Sequence, residues 1–209
     1  MITTPLSEQD TTLLDRAVAL AQKGLFTTKP NPRVGCVIAR KNKIIGEGWH
    51  VRAGQDHAEV AALTAANHDV RGADVFVSLE PCSHHGKTGP CASALIDAGV
   101  ARVVISMLDP NPEVSGRGVE MLRQAGIEVL ISDNPDQARM INSGFCLRME
   151  KGRPLVRLKI AATLDGRTAA SDGSSQWITG DSARKDVHTL RAMSCALITG
   201  IGTIRADNP

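Results

Sequence analysis

The segment His57 to Met107, HAEVAALTAANHDVRGADVFVSLEPCSHHGKTGPCASALIDAGVARVVISM, alternates helical and extended signatures. Residues 57–66 are rich in alanine and carry an acidic residue at the start, which predicts a helix. Residues 73–79 form a short apolar run, a strand signature. Residues 81–90 are a loop of Gly, Pro and His. Cys91 to Ala98 is the next helix, stopped by Gly99, and Val103 to Met107 the next strand. Helices alternating with apolar strands predict an α/β layer structure on a mixed, largely parallel sheet.

Working outward, a helix is expected at residues 7–23. Ser7-Glu8-Gln9-Asp10 resembles a capping box, Leu14, Ala17, Val18 and Ala21 follow the helical period, and Gly24 is a stop. Asn31-Pro32 makes a turn. Residues 34–39 and 43–48 read as two strands around a polar turn at 40–42. Beyond Asp109-Pro110-Asn111-Pro112 come a helix at 118–125, a strand at 128–131 and one longer helix at 135–151. Gly152-Arg153-Pro154 is a break. After it a strand at 155–161, a helix at 182–193 and a final apolar strand at 196–199 are expected. The expected domains are therefore residues 1–152 and the start of a second α/β domain, residues 153–209, which is too short for a sizeable core of its own.

The chain has 209 residues with 24 Lys+Arg against 22 Asp+Glu, a net charge of +2. That balance argues against binding dominated by a phosphate backbone. Aromatics are 2% and Tyr is missing, so base-stacking platforms are scarce and the core must be aliphatic. No apolar run is long enough to span a membrane, and the first ten residues do not read as a secretory signal. Five irregularly spaced cysteines point to a reducing cytoplasm. Cys36, Cys146 and Cys195 read as buried small apolar groups, and His68 and His85 as solvent-facing.

His57, Cys82 and Cys91 supply three zinc-type ligands without an obvious fourth, the pattern of a catalytic rather than a structural zinc. His57 and Cys91 open helices, where thiolates are favoured. Glu59, two residues after His57, points away from the imidazole direction and suits a proton shuttle beside the metal. Each piece alone is weak. Together, in this order and with Pro81 before Cys82, they match the zinc-deaminase signature.

The inter-cysteine segment Cys82-Ser-His-His-Gly-Lys-Thr-Gly-Pro-Cys91 is longer than the usual spacing of that superfamily. With Asn31-Pro32-Arg-Val-Gly-Cys36 and Asp109-Pro-Asn-Pro112, the chain resembles the bifunctional riboflavin-biosynthesis pyrimidine deaminase/reductase family over nearly its whole length. The resemblance implies a three-layer αβα cytidine-deaminase-like domain followed by the start of a dihydrofolate-reductase-like domain. It implies zinc-dependent deamination of 2,5-diamino-6-ribosylamino-4(3H)-pyrimidinone 5′-phosphate, then reduction of the ribosyl group with NADPH in the complete protein. The family's substrate contacts map onto Asn31, His50, His84, Lys87, Asp109 and Asn111. In the second region, Lys159-Ile-Ala-Ala-Thr-Leu-Asp-Gly-Arg-Thr168, Ser175-Gln-Trp-Ile-Thr179 and residues 203–209 are similar to the start of the reductase. By position, Ala161, Trp177, Thr203 and Asp207 contact NADPH, Ser175 and Arg191 contact substrate, and Lys159 and Asp207 assist reduction. The family reductase uses a later Gly-rich segment, so the present chain alone is not expected to consume NADPH. Relatives with this architecture commonly assemble, which implies a homo-oligomer. Nucleic acid and membrane are not expected as partners. Two other readings are a nucleic-acid (tRNA) base deaminase and a non-catalytic zinc-stabilised module. The near-neutral charge, the long inter-cysteine loop and the reductase-like extension weigh against the first. An idle Glu59 would mark the second.

Overall fold

Ser7 starts the first helix by a reciprocal cap. Its hydroxyl accepts the Asp10 N–H at 3.1 Å, and the Asp10 carboxylate accepts the Ser7 N–H at 3.3 Å. The helix, α1 (Glu8–Ala21), then winds into a short 3₁₀ turn ending at Gly24. In the computed structural model, which describes residues 6–84 and 89–208 (for Asp207 the backbone alone), the chain divides into two compact units, Met1–Leu155 and Val156–Pro209.

In the first unit, β1 (Gly35–Arg40) and β2 (Lys43–Trp49) form a hairpin. Lys41 and Asn42 at its turn both adopt positive φ, 49° and 66°, which matches the right-handed twist of the paired strands. The chain continues through α2 (Ala58–Ala65), β3 (Asp74–Val77), α3 (Cys91–Asp97), β4 (Arg102–Ile105), α4 (Arg117–Gln124) and β5 (Glu128–Ile131). The five-stranded sheet has the order β2-β1-β3-β4-β5. It is mixed, as expected, but its parallel part is confined to β3, β4 and β5, because β1 runs antiparallel to both its neighbours.

Side-chain alternation sorts the strands onto two cores. Cys36, Ile38, Val75, Val77, Val103 and Ile105 face one way, with Ala62 and Leu63 of α2 and Leu95 of α3. Val37, Ala39, Phe76 and Val104 face the other way, against Leu13, Leu14, Ala17 and Leu20 of α1. Each fully buried Val, Leu, Ile or Phe among them contributes about 1.5–3 kcal/mol. Two helical layers enclosing one sheet give the αβα sandwich. At the start of the two interior strands Arg102 joins Asp10 at 2.8 Å and Asp74 at 3.0 Å, tying α1 to β3 and β4.

Glycines on β2 decide how closely α2 approaches. A Cβ at Gly48 would stand 2.4 Å from the Ala58 carbonyl oxygen and 2.4 Å from the Ala62 nitrogen. These are backbone atoms of the helix whose N-terminus bears His57 and Glu59.

Several expectations are corrected. The single helix at 135–151 is two, α5 (Asp136–Ile141) and α6 (Ser143–Lys151). The break lies at Asn142, whose fully buried side chain bonds to the Arg33 backbone instead of facing solvent. In the second unit the described residues are helical only at α7 (Asp181–Met193) and α8 (Ile201–Asp207). Residues 155–161 and 196–199 are not strands, and α8 follows where no element was expected. A strand exists only against a hydrogen-bonded neighbour, and the described residues of this unit offer none. For the same lack of a core, Cys195 is exposed, not buried. Cys36 and Cys146 are buried as expected. No helix among the described residues is long and apolar enough to cross a membrane.

Candidate metal centre

His57 is the N-cap of α2, Cys91 is the first residue of α3, and Cys82 lies on the loop after β3. The three converge beyond the carboxyl end of a parallel strand, where open α/β sheets place their sites. His57 Nδ1 is 3.2 Å from Cys91 Sγ and 3.6 Å from Cys82 Sγ, and all three donor atoms lie within 4.8 Å of one another. Zinc bonds of about 2.3 Å to sulfur and 2.0–2.1 Å to nitrogen put tetrahedral ligands about 3.5–3.8 Å apart. The donors therefore stand close to the spacing the ion requires. Among the described residues the group has three members, which leaves one tetrahedral position for a water or substrate atom.

Backbone geometry prepares the sulfurs. The Cys91 N–H donates to Cys82 Sγ at 3.3 Å, and the Ala92 N–H donates to the Cys82 carbonyl at 3.1 Å. The two thiols compete for protons. A hydrogen bond from Cys91 holds Cys82 down to about 4 against the effect of burial, helped by His57. The same contact, then burial and the Glu59 charge, pushes Cys91 far up. A divalent cation between them satisfies both thiolates at once, so the donor chemistry fits zinc.

The centre opens into a cavity of about 510 Å³. His57, Cys82 and Glu59 share its wall with the expected substrate contacts Asn31, His50, His84, Asp109 and Asn111. Lys87 lies outside the described residues. Glu59, at the second position of α2, is buried; burial, then the Cys82 charge, pushes its carboxyl up to about 7. Asp109 is also buried, and desolvation and the Glu80 charge push it up to about 6 although the Asn111 N–H opposes them.

His50 is committed at both nitrogens. Its Nδ1 faces the Asp56 carbonyl at 2.9 Å, and a carbonyl can only accept, so Nδ1 carries the proton. Burial lowers its pKa and favours the neutral ring, so Nε2 accepts from the Asn31 amide nitrogen at 3.1 Å. The ring packs edge-on against His57 with centroids 5.4 Å apart. His50 thus holds Asn31 and flanks the metal ligand.

Glu80, which sequence reasoning missed, is a third buried carboxylate of the cavity wall, beside Glu59 and Asp109. It accepts four backbone N–H bonds, from Asp109, Gly116, Gly118 and Val119, at 2.9–3.3 Å. It fastens the Asp109–Asn111 loop and the start of α4 to the residue pair preceding Cys82. The signal was an acidic residue closing an apolar strand, immediately before Pro81-Cys82. Arg148 of α6 also lines the cavity and was not anticipated.

In the second unit, Lys159, Ser175, Trp177 and Thr203 are exposed, and Ala161 and Arg191 are half-buried. The Arg184 guanidinium lies 4.4 Å over the Trp177 ring. The side chain of Asp207 lies outside the described residues.

Residues 7–107 match the family described as the cytidine and deoxycytidylate deaminase zinc-binding region, and residues 154–209 match the RibD C-terminal domain. The riboflavin biosynthesis protein RibD of Escherichia coli K12 is 55% identical over 201 residues, 96% of this chain and 55% of that protein. That of Haemophilus influenzae is 52% identical over 203 residues, 97% of this chain and 55% of that protein. The chain thus spans about half the length of the curated relatives it matches. The structure of Acinetobacter baumannii RibD is similar with a TM-score of 0.91 at 52% identity, over 97% of this chain and 57% of that one. The Thermotoga maritima diaminohydroxyphosphoribosylaminopyrimidine deaminase/5-amino-6-(5-phosphoribosylamino)uracil reductase gives 0.90 at 44% identity, over 96% and 58%.

Proposed function

The chain belongs to the RibD family of riboflavin-biosynthesis proteins, and from that premise we propose that residues 1–152 form a zinc-dependent deaminase. Its substrate is 2,5-diamino-6-ribosylamino-4(3H)-pyrimidinone 5′-phosphate, which loses its 2-amino group as ammonia. The observation that carries this reading is that Glu59 shares one cavity wall with His57 and Cys82, which cluster with Cys91 as a three-donor group.

His57 Nδ1 and the sulfurs of Cys82 and Cys91 would hold the metal. Zinc, when bound, supplies Lewis acidity that makes water nucleophilic near neutral pH. Glu59 accepts a proton from the attacking water and delivers it to the ring nitrogen. It then takes the second proton from the new hydroxyl and gives it to the amine, which leaves as ammonia while the carbonyl forms. Two protons and one oxygen are transferred, so water and substrate become the oxo-pyrimidine and ammonia. Asn31, oriented by His50, holds the ring, with His84, Lys87, Asp109 and Asn111 as further contacts. Burial of His50, Glu59 and Asp109 keeps bulk water from the inner end of the cavity, where one face of the ring meets the reacting atoms.

Residues 153–209 open the reductase part. In the whole protein NADPH reduces the ribosyl group, with Ala161, Trp177, Thr203 and Asp207 at the cofactor, Ser175 and Arg191 at the substrate, and Lys159 and Asp207 assisting. The proposed setting is a homo-oligomer in the reducing cytoplasm, where free thiols persist. The test is Glu59→Gln. The variant is expected to keep one zinc per chain and to lose ammonia release from the diaminopyrimidine phosphate by a factor of about 10²–10⁴. Turnover at the wild-type rate would refute the proposal.

A further inference from the structure

The proposed substrate carries a phosphate, and a phosphate is best held by a guanidinium fork. Among the described residues that line the cavity, Arg148 is the only arginine or lysine. Phe145, Arg148 and Met149 all line it, and their spacing places them on one face of α6. Arg148 itself is exposed, at the solvent side of that wall. Its guanidinium has no hydrogen bond or ion pair to a described residue, whereas Arg16, Arg102 and Arg139 each hold a carboxylate. The acid two residues along its own helix, Glu150, is taken by Arg139 at 2.6 Å.

The helix that carries Arg148 is fastened to the rest of the site. Buried Asn142, just before α6, accepts the Arg33 N–H at 2.8 Å and donates to the Arg33 carbonyl at 2.9 Å. That reciprocal pair locks α6 to the segment bearing Asn31. With the reacting ring end against Glu59 and the metal donors, the sugar-phosphate end extends towards solvent, where a cation without a partner among the described residues stands on a fixed helix.

We infer that Arg148 is the specificity residue that takes the substrate phosphate at the mouth of the deaminase cavity, selecting the ribosyl phosphate over its dephosphorylated form. The inference rests on the proposed deamination for its substrate, and its test is separable from it. Ammonia release is measured for the zinc-loaded full chain, Arg148→Gln and Arg148→Lys, with the diaminopyrimidine ribosyl phosphate and with its dephosphorylated form. Binding of ribose 5-phosphate to the same proteins is measured by calorimetry. Arg148→Gln is expected to raise KM for the phosphorylated substrate about ten- to a hundredfold, the loss of one charge-assisted contact, with kcat within about twofold. Turnover of the dephosphorylated form stays unchanged, ribose 5-phosphate binding weakens in parallel, and Arg148→Lys recovers part of both. An unchanged KM, or an equal loss with both substrates, overturns the inference. If the wild type releases no ammonia, the deaminase reading falls and calorimetry alone decides: weaker binding in Arg148→Gln supports the phosphate contact, while equal binding or none to the wild type overturns it.

Discussion

Exchanging Glu80 for glutamine alters one atom of the cavity wall and should be costly. The carboxylate serves two pairs of donors. One oxygen accepts from Gly118 and Val119, at 3.0 and 3.3 Å, and the other from Asp109 and Gly116, at 3.2 and 2.9 Å. An amide keeps one oxygen and so one pair. Its NH₂ group must face the other pair, donor against donor, leaving two backbone N–H groups unsatisfied. At about 1–3 kcal/mol for each buried unsatisfied group, the loss is about 2–6 kcal/mol. The neutral amide is easier to bury than a carboxylate, which moves the expectation to about 2–4 kcal/mol. For a chain of this size that corresponds to a Tm lower by roughly 4–16 °C. The assay is thermal unfolding of zinc-loaded wild type, Glu80→Gln and the exposed control Glu113→Gln, followed by circular dichroism at pH 7. Glu113→Gln should stay within about 0.5 kcal/mol of wild type. A Glu80→Gln midpoint within about 1 °C of wild type would refute the view that this carboxylate fastens the Asp109 loop and α4 to the metal-site loop.

Two further perturbations test the frame around the site. Gly48→Ala drives a methyl into the backbone of α2 at 2.4 Å, so the helix must shift, at a cost of at least about 1–3 kcal/mol. Because His57 and Glu59 ride on that helix, zinc affinity in a chelator competition should fall with stability; wild-type values for both would contradict the packing argument. Asp10→Asn tests the Arg102 bridge through pH. Burial pushes the Asp10 carboxyl up, but Arg102 and Ser7 outweigh it and leave it below its ordinary 3.8. A depressed folded-state pKa means stability that is fully present above the unfolded value and lost as pH falls through the folded one. In urea unfolding the gap between wild type and Asp10→Asn should therefore be widest near pH 7 and close below about pH 4. A gap that widened on acidification would reverse the sign and overturn the assignment.

What is legible in the sequence here is what a few neighbouring residues decide. The Ser7–Asp10 cap spans three positions, the β1–β2 turn needs only Lys41 and Asn42 at positive φ, and α1 follows its own apolar period. The metal donors are legible despite their sequence separation because few residue types bind zinc and their order restricts the choice. Strands in the second unit were misread because an apolar run becomes a strand only through a neighbour, which no local pattern contains. The long helix was misread for a similar reason: Asn142 breaks it through bonds to Arg33, 109 positions away. Glu80 meets its partners 29 to 39 residues downstream, and nothing between them forecasts four converging N–H groups. Arg148 is the extreme case. On the sequence it is one more cation on an amphipathic helix, indistinguishable from a solvated residue; what separates it is a cavity built by distant segments and the lack of a carboxylate partner among the described residues. Chemistry confined to a few ligand types can thus be read from order alone, whereas a general-purpose cation acquires its role only from the surroundings that folding brings to it.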